Sequence, residues 1–474
     1  MRVLLVRPHI PLKVARRLEG FLHLEPLALE IVAGGIPSGH SVRILDLAGV
    51  PAAERVFRRE LTRFRPDVVG FTCYSNQAAN VKRLAGLVKA AVPQALTVVG
   101  GTHATIVPTD FRLPGVIDLV VRGEGGSVMP RLFEALERGG PLPEDQVFLP
   151  TAGAGFDTAA ANPPPPLPDY EAIPQARRDL VERSRYFCIW YGGKGERLKT
   201  LYPQTATLRT SVGCPNRCTF CVVHYLANGK YVQRAPAAVV DEIAQVPQEH
   251  IYFVDDEMFI NASRAEAIAR LLIERGIRKH YVSWARADTI CAHPELFRLW
   301  KEAGLTLVYV GLESMNAATL EAYNKRVAPD VNRQAVTVLR ELGIGLHAAF
   351  MVNPEFTEED FRALRQTIGE VTPAEVTFTV FSPPPGTPAW QQYRERFICA
   401  DPYAFYDCMH TLLPTALPLR KFYSQFALLY LMAFRKNPWR ENGVKVPFRD
   451  LCRFMYRGAL YGWALRTIHR DYRQ

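Results

Sequence analysis

A chain of 474 residues has room for two or three domains. Its 48% hydrophobic and 22% charged content excludes a disordered or fibrous protein. No stretch reaches the ~18 consecutive apolar residues of a membrane span, and the apolar run of MRVLLVRPHIP is too short for a signal peptide, so a cytoplasmic chain with reduced cysteines is expected.

Residues 1–140 alternate strand and helix. RVLLV (2–6) reads as a buried strand and LHLEPLALEIVA (22–33) as a helix. SVRILDL (41–47), DVVGFTCYS (67–75), LTVVGG (96–101) and IDLVVRGEGG (117–126) read as further strands. AERVFRRELTRF (53–64) and NVKRLAGLVKAA (80–91) are the helices between them. This alternation predicts an α/β fold with a parallel, doubly wound, Rossmann-like sheet. Such sheets bind ligands at the carboxyl ends of their strands. Those ends carry His9, Asp46, Ser75 and Asn76, then Gly100, Gly101 and His103, then Gly123 and Glu124. The glycines let backbone approach a large flat ligand. No G-x-G-x-x-G follows the first strand, which argues against a dinucleotide.

Residues 141–200 form a proline-rich linker. Pro163–Pro166 and Pro168 enforce extended backbone. YFCIWYGGKGERLK (186–199) is expected to make a hairpin against the next domain.

Residues 201–390 repeat strand then helix about six times, on strands in TATLRTSV (205–212), HIYFVDDEMF (250–259), YVSWARAD (281–288), LTLVYVGLES (305–314), LHAAFMVN (346–353) and EVTFTV (375–380). The first ends at Cys214-Pro-Asn-Arg-Cys218-Thr-Phe220-Cys221. Clustered thiolates are soft ligands for Fe–S clusters or zinc. Zinc usually takes four ligands as two separated pairs. A [4Fe–4S] cluster held by three cysteines keeps one iron open for a small molecule. The other six cysteines have no metal-ligand spacing and read as buried small side chains.

Residues 391–474 read as a helical, basic region. From Arg420 to Gln474, twelve Lys or Arg face three acids, Glu441, Asp450 and Asp471. This excess of nine is nearly the whole net charge of +10. Interleaved with Trp, Phe, Tyr and Leu, it reads as a membrane-surface helix. A solvated helix face and nucleic-acid binding are the rivals, and no nucleic-acid motif is present. Tyr403, Tyr406, His410 and Tyr423 are candidates to line a substrate cavity, with core packing as the alternative.

The C-x3-C-x2-C loop with an aromatic before the third cysteine resembles the radical S-adenosylmethionine (SAM) superfamily. VGGTHAT (99–105) and V-x-GEG (121–125) ahead of it resemble the cobalamin-binding domain of one large class of those enzymes. LPDY (167–170) resembles the usual bridge between them, and PPPGTP (383–388) the closing turn of the partial (β/α)6 barrel. The resemblance implies a [4Fe–4S] cluster on Cys214, Cys218 and Cys221, with Phe220 beside it. It implies SAM contacts at Asp255 and Asp256 for the ammonium, at Ser283 and Arg286 for the ribose and carboxylate, and at Glu313. Each of these could instead be a helix cap or turn partner. Cobalamin is implied at Ser75, Asn76, Gly100, Gly101, His103, Gly123 and Glu124. The D-x-H-x-x-G motif that ligates cobalt elsewhere is absent, so His9 and His103 are expected to make hydrogen bonds instead. The implied chemistry is methyl transfer from methylcobalamin to a carbon radical made by the 5′-deoxyadenosyl radical. No general acid or base is required, and an external one-electron reductant such as flavodoxin or ferredoxin is. Across FLHLEPLALEIVAGG (21–35), YSNQAANVKRL (74–84) and the DPYAFYD–LPLRKFY region, the chain is most similar to the hopanoid C-3 methylases. That implies a lipid substrate, peripheral contact with the inner face of the cell membrane, and no nucleic acid. Tetrapyrrole-modifying enzymes of the same architecture are the nearest rival. A non-catalytic cobalamin sensor would not need the three cysteines. An RNA methylthiotransferase would carry a second cysteine triad and an RNA-binding barrel, and neither is visible.

Overall fold

The computed structural model describes residues 1–150, 164–165, 167–190, 192, 195–435 and 443–473. Most of the glycine- and alanine-rich linker, Pro163 and Pro166 of the proline run, and 436–442 of the basic tail lie outside the described residues. The strands are β1 (Arg2–Arg7), β2 (Leu22–His23), β3 (Ser41–Asp46), β4 (Val68–Thr72), β5 (Leu96–Gly100), β6 (Leu119–Val121), β7 (Val147–Phe148), β8 (Phe187–Cys188), β9 (Thr205–Leu208), β10 (Ser211–Val212), β11 (Val232–Gln233), β12 (His250–Phe253), β13 (His280–Ala285), β14 (Leu305–Glu313), β15 (Gly345–Val352) and β16 (Glu375–Val380).

The first sheet has the order β3-β1-β4-β5-β6-β7, parallel except for β7. Its central strand β1 is apolar throughout, and Val3, Leu4, Leu5 and Val6 are all buried. That is what a sheet covered on both faces requires. One face packs on the helices Ala53–Phe64 and Ala78–Ala91, the other on Leu27–Gly35 and Gly125–Arg138. The expected helix over 22–33 begins only at Leu27. Residues preceding a proline favour extended backbone, so the chain up to Pro26 stays extended and Leu22–His23 becomes β2. β2 pairs antiparallel with β8. The segment 186–190 also turns back on 201–205, through a Phe187–Gln204 bridge and the Trp190 N–H bonded to Leu201 O at 3.1 Å. The expected hairpin is therefore also a seam between the two sheets.

The second sheet has the order β16-β15-β14-β13-β12-β9, parallel in every pair. It is the partial (β/α)6 barrel, with helices such as Pro236–Gln245, Ala262–Glu274 and Pro294–Ala303 outside it. The run TATLRTSV breaks after Leu208 because Asp255 takes the Thr210 N–H and hydroxyl. β10 then turns aside to pair with β11.

The C-terminal region is helical at Leu419–Arg435 and Phe448–Thr467, two neighbouring helices that pack together. Between 398 and 418, prolines 402, 414 and 418 leave irregular chain held by one histidine. His410 is fully buried, with Nδ1 3.0 Å from Asp407 and Nε2 3.1 Å from Asp471. The Thr411 N–H donates to the Tyr423 hydroxyl at 2.9 Å, and Tyr472 donates to Thr411 O at 2.8 Å. Burial opposes a charge on His410, but Asp407 and Asp471 outweigh it and push its pKa up to about 9. A raised histidine pKa stabilises the fold fully below its ordinary ~6.5 and loses that contribution as pH climbs through the folded value. We expect His410→Ala to cost ~3–5 kcal/mol, mainly by leaving the buried Asp407 unpaired. The half-exposed Asp471 contributes little to that cost. Thermal melts check this: wild-type melting temperature falls between about pH 6.5 and 9, and the variant loses most of that slope.

Candidate active site

The cysteine loop sits at the carboxyl end of β9, the first barrel strand. Gly213 enters it with φ +94°, and a Cβ there would lie 2.2 Å from Lys230 O, so only glycine fits. The loop is then pinned by backbone. The Thr219 N–H donates to Tyr323 O at 3.0 Å, Asn324 donates to Arg217 O at 2.8 Å, and the Cys221 N–H donates to Cys218 O at 3.1 Å. Phe220 packs edge-on against Tyr323, which stacks on Phe381. Cys218 is buried, while Cys214 and Cys221 are half-buried. Burial pushes the Cys221 thiol up to about 12 and raises that of Cys218. Among the described residues no three His, Cys, Asp or Glu side chains converge as a single metal ion would need. A cluster does not ask for convergence, since each thiolate caps a different iron. Three soft donors on one fixed loop fit that group.

Side chains alternate along each barrel strand, so parity decides which polar groups face the lumen. Tyr252, Val254, Val282, Trp284 and Leu307 share the inner cluster, while Phe253, Tyr281, Ala285, Val308 and Val310 pack outward on the helices. Continuing that alternation, Asp256, Arg286 and Glu313 fall on the inner side and Asp255 and Ser283 on the outer. The contacts agree. Both Asp255 oxygens are taken by Thr210 and Ser211, and Ser283 is fully buried with its hydroxyl on the Met258 sulfur at 3.6 Å. The structure therefore turns these two predicted SAM contacts away from the lumen. Asp256 holds the Gly213 N–H through one oxygen at 2.8 Å and leaves the other open. It is solvent-exposed, and burial raises its pKa against the pull of that N–H. Arg286 is bidentate to Asp288 and donates to Lys325 O. Glu313 ends β14 at φ +60°, just past a register shift with β15, and pairs with Lys325 at 3.1 Å. Such bulges re-aim side chains beside functional sites.

The carboxyl edge of the first sheet meets the barrel through Glu124 and Arg209. Gly101 has φ +92°, and a Cβ there would lie 2.9 Å from Cys73 N. Behind the glycines a cavity of about 250 Å³ runs between the sheet and its helices. Val3, Leu29, Val98 and Phe133 wall it, and Gly100, Gly101, Gly123 and Glu124 stand at its mouth. Glu124 caps the helix Gly125–Arg138 through the Gly126 N–H and pairs with Arg209 of the barrel at 3.1 Å. Ser75 bonds His103 Nδ1 at 3.0 Å, Asp110 takes Nε2 at 3.0 Å, and the ring is fully buried. His103 is thus a hydrogen-bonding residue, and the half-buried Asn76 follows Ser75 at the same edge.

Of the four predicted substrate residues, Tyr406 is half-buried, and burial raises its pKa. Tyr403 is wedged between His103 and Trp390. His410 and Tyr423 are buried in the clamp described above, so core packing claims them. Three residues that contact predicted site residues escaped the sequence pattern: Lys325, Arg209 and Glu257, whose buried carboxyl accepts the Arg286 N–H at 2.7 Å. Strand parity applied to TATLRTSV would have marked Arg209 as inward. Lys325 lies on a helix-to-helix turn where no periodicity points.

Residues 16–133 match the B12 binding domain and residues 208–368 the Radical SAM superfamily. The chain is 33% identical over 424 residues to the hopanoid C-3 methylase of Methylococcus capsulatus, covering 88% of this chain and 78% of that protein. It is 26% identical to the anaerobic magnesium-protoporphyrin IX monomethyl ester cyclase of Rubrivivax gelatinosus, covering 78% and 66%. Among solved structures, the radical S-adenosylmethionine methyltransferase TsrM of Kitasatospora setae superposes with a TM-score of 0.65 at 18% identity, covering 100% of this chain and 99% of that one.

Proposed function

The chain belongs to the cobalamin-dependent radical SAM methyltransferases, and on that footing we propose that it methylates an unactivated carbon of a lipid, C-3 of a hopanoid. The observation that carries the reading is the likeness to a hopanoid C-3 methylase along 88% of the chain. Its cofactors are a [4Fe–4S] cluster, SAM and cobalamin. When bound, they supply a carbon radical able to take hydrogen from an unactivated carbon, and a methyl group to replace it.

The residues divide that work. Cys214, Cys218 and Cys221 hold the cluster, and Phe220 keeps the loop seated on Tyr323. The open oxygen of Asp256 takes the ammonium of SAM. Arg286, fixed by Glu257 and Asp288, and Glu313, fixed by Lys325, take its carboxylate and ribose. Ser75, Asn76, Gly100, Gly101 and Gly123 form the edge that would hold cobalamin, with the apolar cavity behind them as room for part of it. Both nitrogens of His103 are engaged, by Ser75 and Asp110, so its role beside cobalamin would be hydrogen bonding. The aromatic lumen orients the substrate and excludes water, and no acid–base pair is needed for hydrogen-atom abstraction. An external donor supplies the single electron.

Among the described residues no helix is long and apolar enough to cross a membrane. The C-terminal helices do expose Leu431, Met455, Tyr456 and Trp463 beside Arg449, Arg453 and Arg466. An apolar face with a basic flank suits peripheral contact with an anionic bilayer.

The test is mass spectrometry of lipids from a host with and without this gene. A hopanoid gaining one methylene mass, and losing it with Cys214→Ala, is the expected result. An altered tetrapyrrole with unchanged hopanoids would move the substrate to the cyclase-like reading.

A further inference from the structure

The two segments that flank the cysteine loop both reach the first domain. Arg209 lies shortly before Cys214, and Leu226 shortly after Cys221. Both side chains line the cavity of about 250 Å³ behind Gly100 and Gly123. They are the barrel's contribution to a wall otherwise built from the first sheet, its helices and Leu167 of the linker.

Both segments are firmly held. The Arg209 guanidinium meets Glu124 at 3.1 Å, and the two side chains are mostly shielded from solvent. The Arg209 carbonyl accepts the Tyr170 hydroxyl at 2.8 Å, and the next residue, Thr210, is bonded through its N–H and hydroxyl to Asp255. Leu226 ends a short helix, Val223–Leu226, which packs on Thr102–Ile106, the segment that follows Gly101. Thr105 of that segment accepts the Gly123 N–H at 3.0 Å and donates to Gly101 O at 2.9 Å. The glycine edge, the cavity wall and both arms of the cysteine loop therefore form one connected framework.

Three thiolates on one cluster clip Cys214, Cys218 and Cys221 together, and closing a loop removes backbone freedom from the chain on either side of it. Arg209 and Leu226 belong to that chain. With the clip in place, their part of the cavity wall is ordered before a ligand arrives. A pre-ordered site binds more tightly than one that must be ordered on binding. The effect runs both ways, because two coupled sites share one coupling free energy.

We propose that Arg209 and Leu226 are positioning residues that couple the two cofactor sites. Cobalamin binds more tightly when the cluster is in its loop, and the cluster more tightly when cobalamin is in its cavity. Arg209 acts through its pair with Glu124, and Leu226 through the apolar wall. The inference rests on cobalamin lying along the edge and cavity described above, and adds what makes the loading of the two cofactors cooperative.

The experiment measures the affinity of the full chain for hydroxocobalamin under anaerobic conditions, with the cluster reconstituted and again after its iron is chelated. Wild type should bind about fivefold tighter or more with the cluster in place, the low end of usual couplings between sites. Arg209→Met and Leu226→Ala should each weaken binding to the cluster-loaded form and bring that ratio toward one. Arg209→Lys, which keeps the charge, should retain part of it. Val98→Ala, on the cavity's own sheet, should weaken binding equally in both forms and keep the wild-type ratio, which separates coupling from ordinary damage to the site. Iron content and melting temperature of each variant report the fold. If Arg209→Met does not take up a cluster, Arg209→Lys and Leu226→Ala carry the test. A wild-type ratio of one, or a wild-type ratio kept in both Leu226→Ala and the Arg209 variant, overturns the coupling and leaves the cobalamin site standing. A Val98→Ala chain that binds like wild type puts cobalamin outside this cavity and overturns both.

Discussion

Cys218→Ala yields a folded protein that retains cobalamin but neither assembles the cluster nor cleaves SAM. The substitution is clean because the loop is held by backbone groups of Thr219, Cys221 and Arg217 and by the Phe220 ring, none of which the thiol supports. Alanine removes one sulfur from a buried position and leaves a small, apolar residue in its place. Two remaining cysteines cannot cap three irons, so the effect is loss of the centre and not a weakened one. Iron and sulfide content, the visible absorption of the cluster, and formation of 5′-deoxyadenosine check it. Normal iron content with normal 5′-deoxyadenosine would sink the cluster assignment. Cys73→Ala and Cys188→Ala, in buried cysteines away from the loop, serve as controls and should leave iron content unchanged.

A large loss of stability is expected from Arg178→Ala. Arg178 is buried where the linker crosses from one sheet to the other. It donates to Glu25 at 2.5 Å, to Glu242 at 2.9 Å and to Thr207 O at 2.7 Å, with Glu30 at 3.8 Å. Glu25 also takes the Thr207 N–H and hydroxyl, so both domains meet on these charges. Removing the cation strands buried carboxylates and should cost ~3–5 kcal/mol, a large part of the ~5–15 kcal/mol that usually separates folded from unfolded chains. Arg178→Lys should recover only part, since an ammonium lacks the forked geometry. The pH dependence has a definite sign. Burial, and then Glu25, raises the Glu30 pKa, while Arg178 lowers it. A carboxyl raised in the fold stabilises below its ordinary range and loses that contribution as pH climbs through the raised value. Without Arg178 the rise is larger, so the variant should be weakest at alkaline pH and partly rescued by acid. Melting curves across pH decide it, and a variant that melts like wild type at every pH would refute the hub.

Much of this was legible in the sequence because it follows from periodicity. Apolar runs separated by helices mark both sheets, and three cysteines in eight residues mark the metal loop. What periodicity alone left ambiguous was direction. Asp255 and Asp256 are adjacent and chemically identical, yet a strand turns one outward to brace Thr210 and the other into the lumen. Ser283 and Arg286 are expected to take the ribose and carboxylate of SAM, but Ser283 is buried on Met258 while Arg286, just past the end of β13, pairs with Asp288. His410 and Tyr423 have the composition of a binding site and serve as a clamp, because their partners Asp471 and Tyr472 lie far along the chain. Lys325 and Arg178 act through contacts 12 to 153 residues away in sequence, which no local pattern records.

The pairing of β2 with β8, beside the Arg178 hub, also sets an order of events during synthesis. The first sheet leaves the ribosome before the residues that neutralise its own acids. Glu25 and Glu30 must wait for Arg178, and β2 for a partner strand more than 160 residues downstream. Contacts of such long range form slowly, and domains made first fold first. The amino-terminal half therefore passes through a stage with an unpaired strand edge and uncompensated carboxylates. It becomes fully native only as the barrel's first strand arrives.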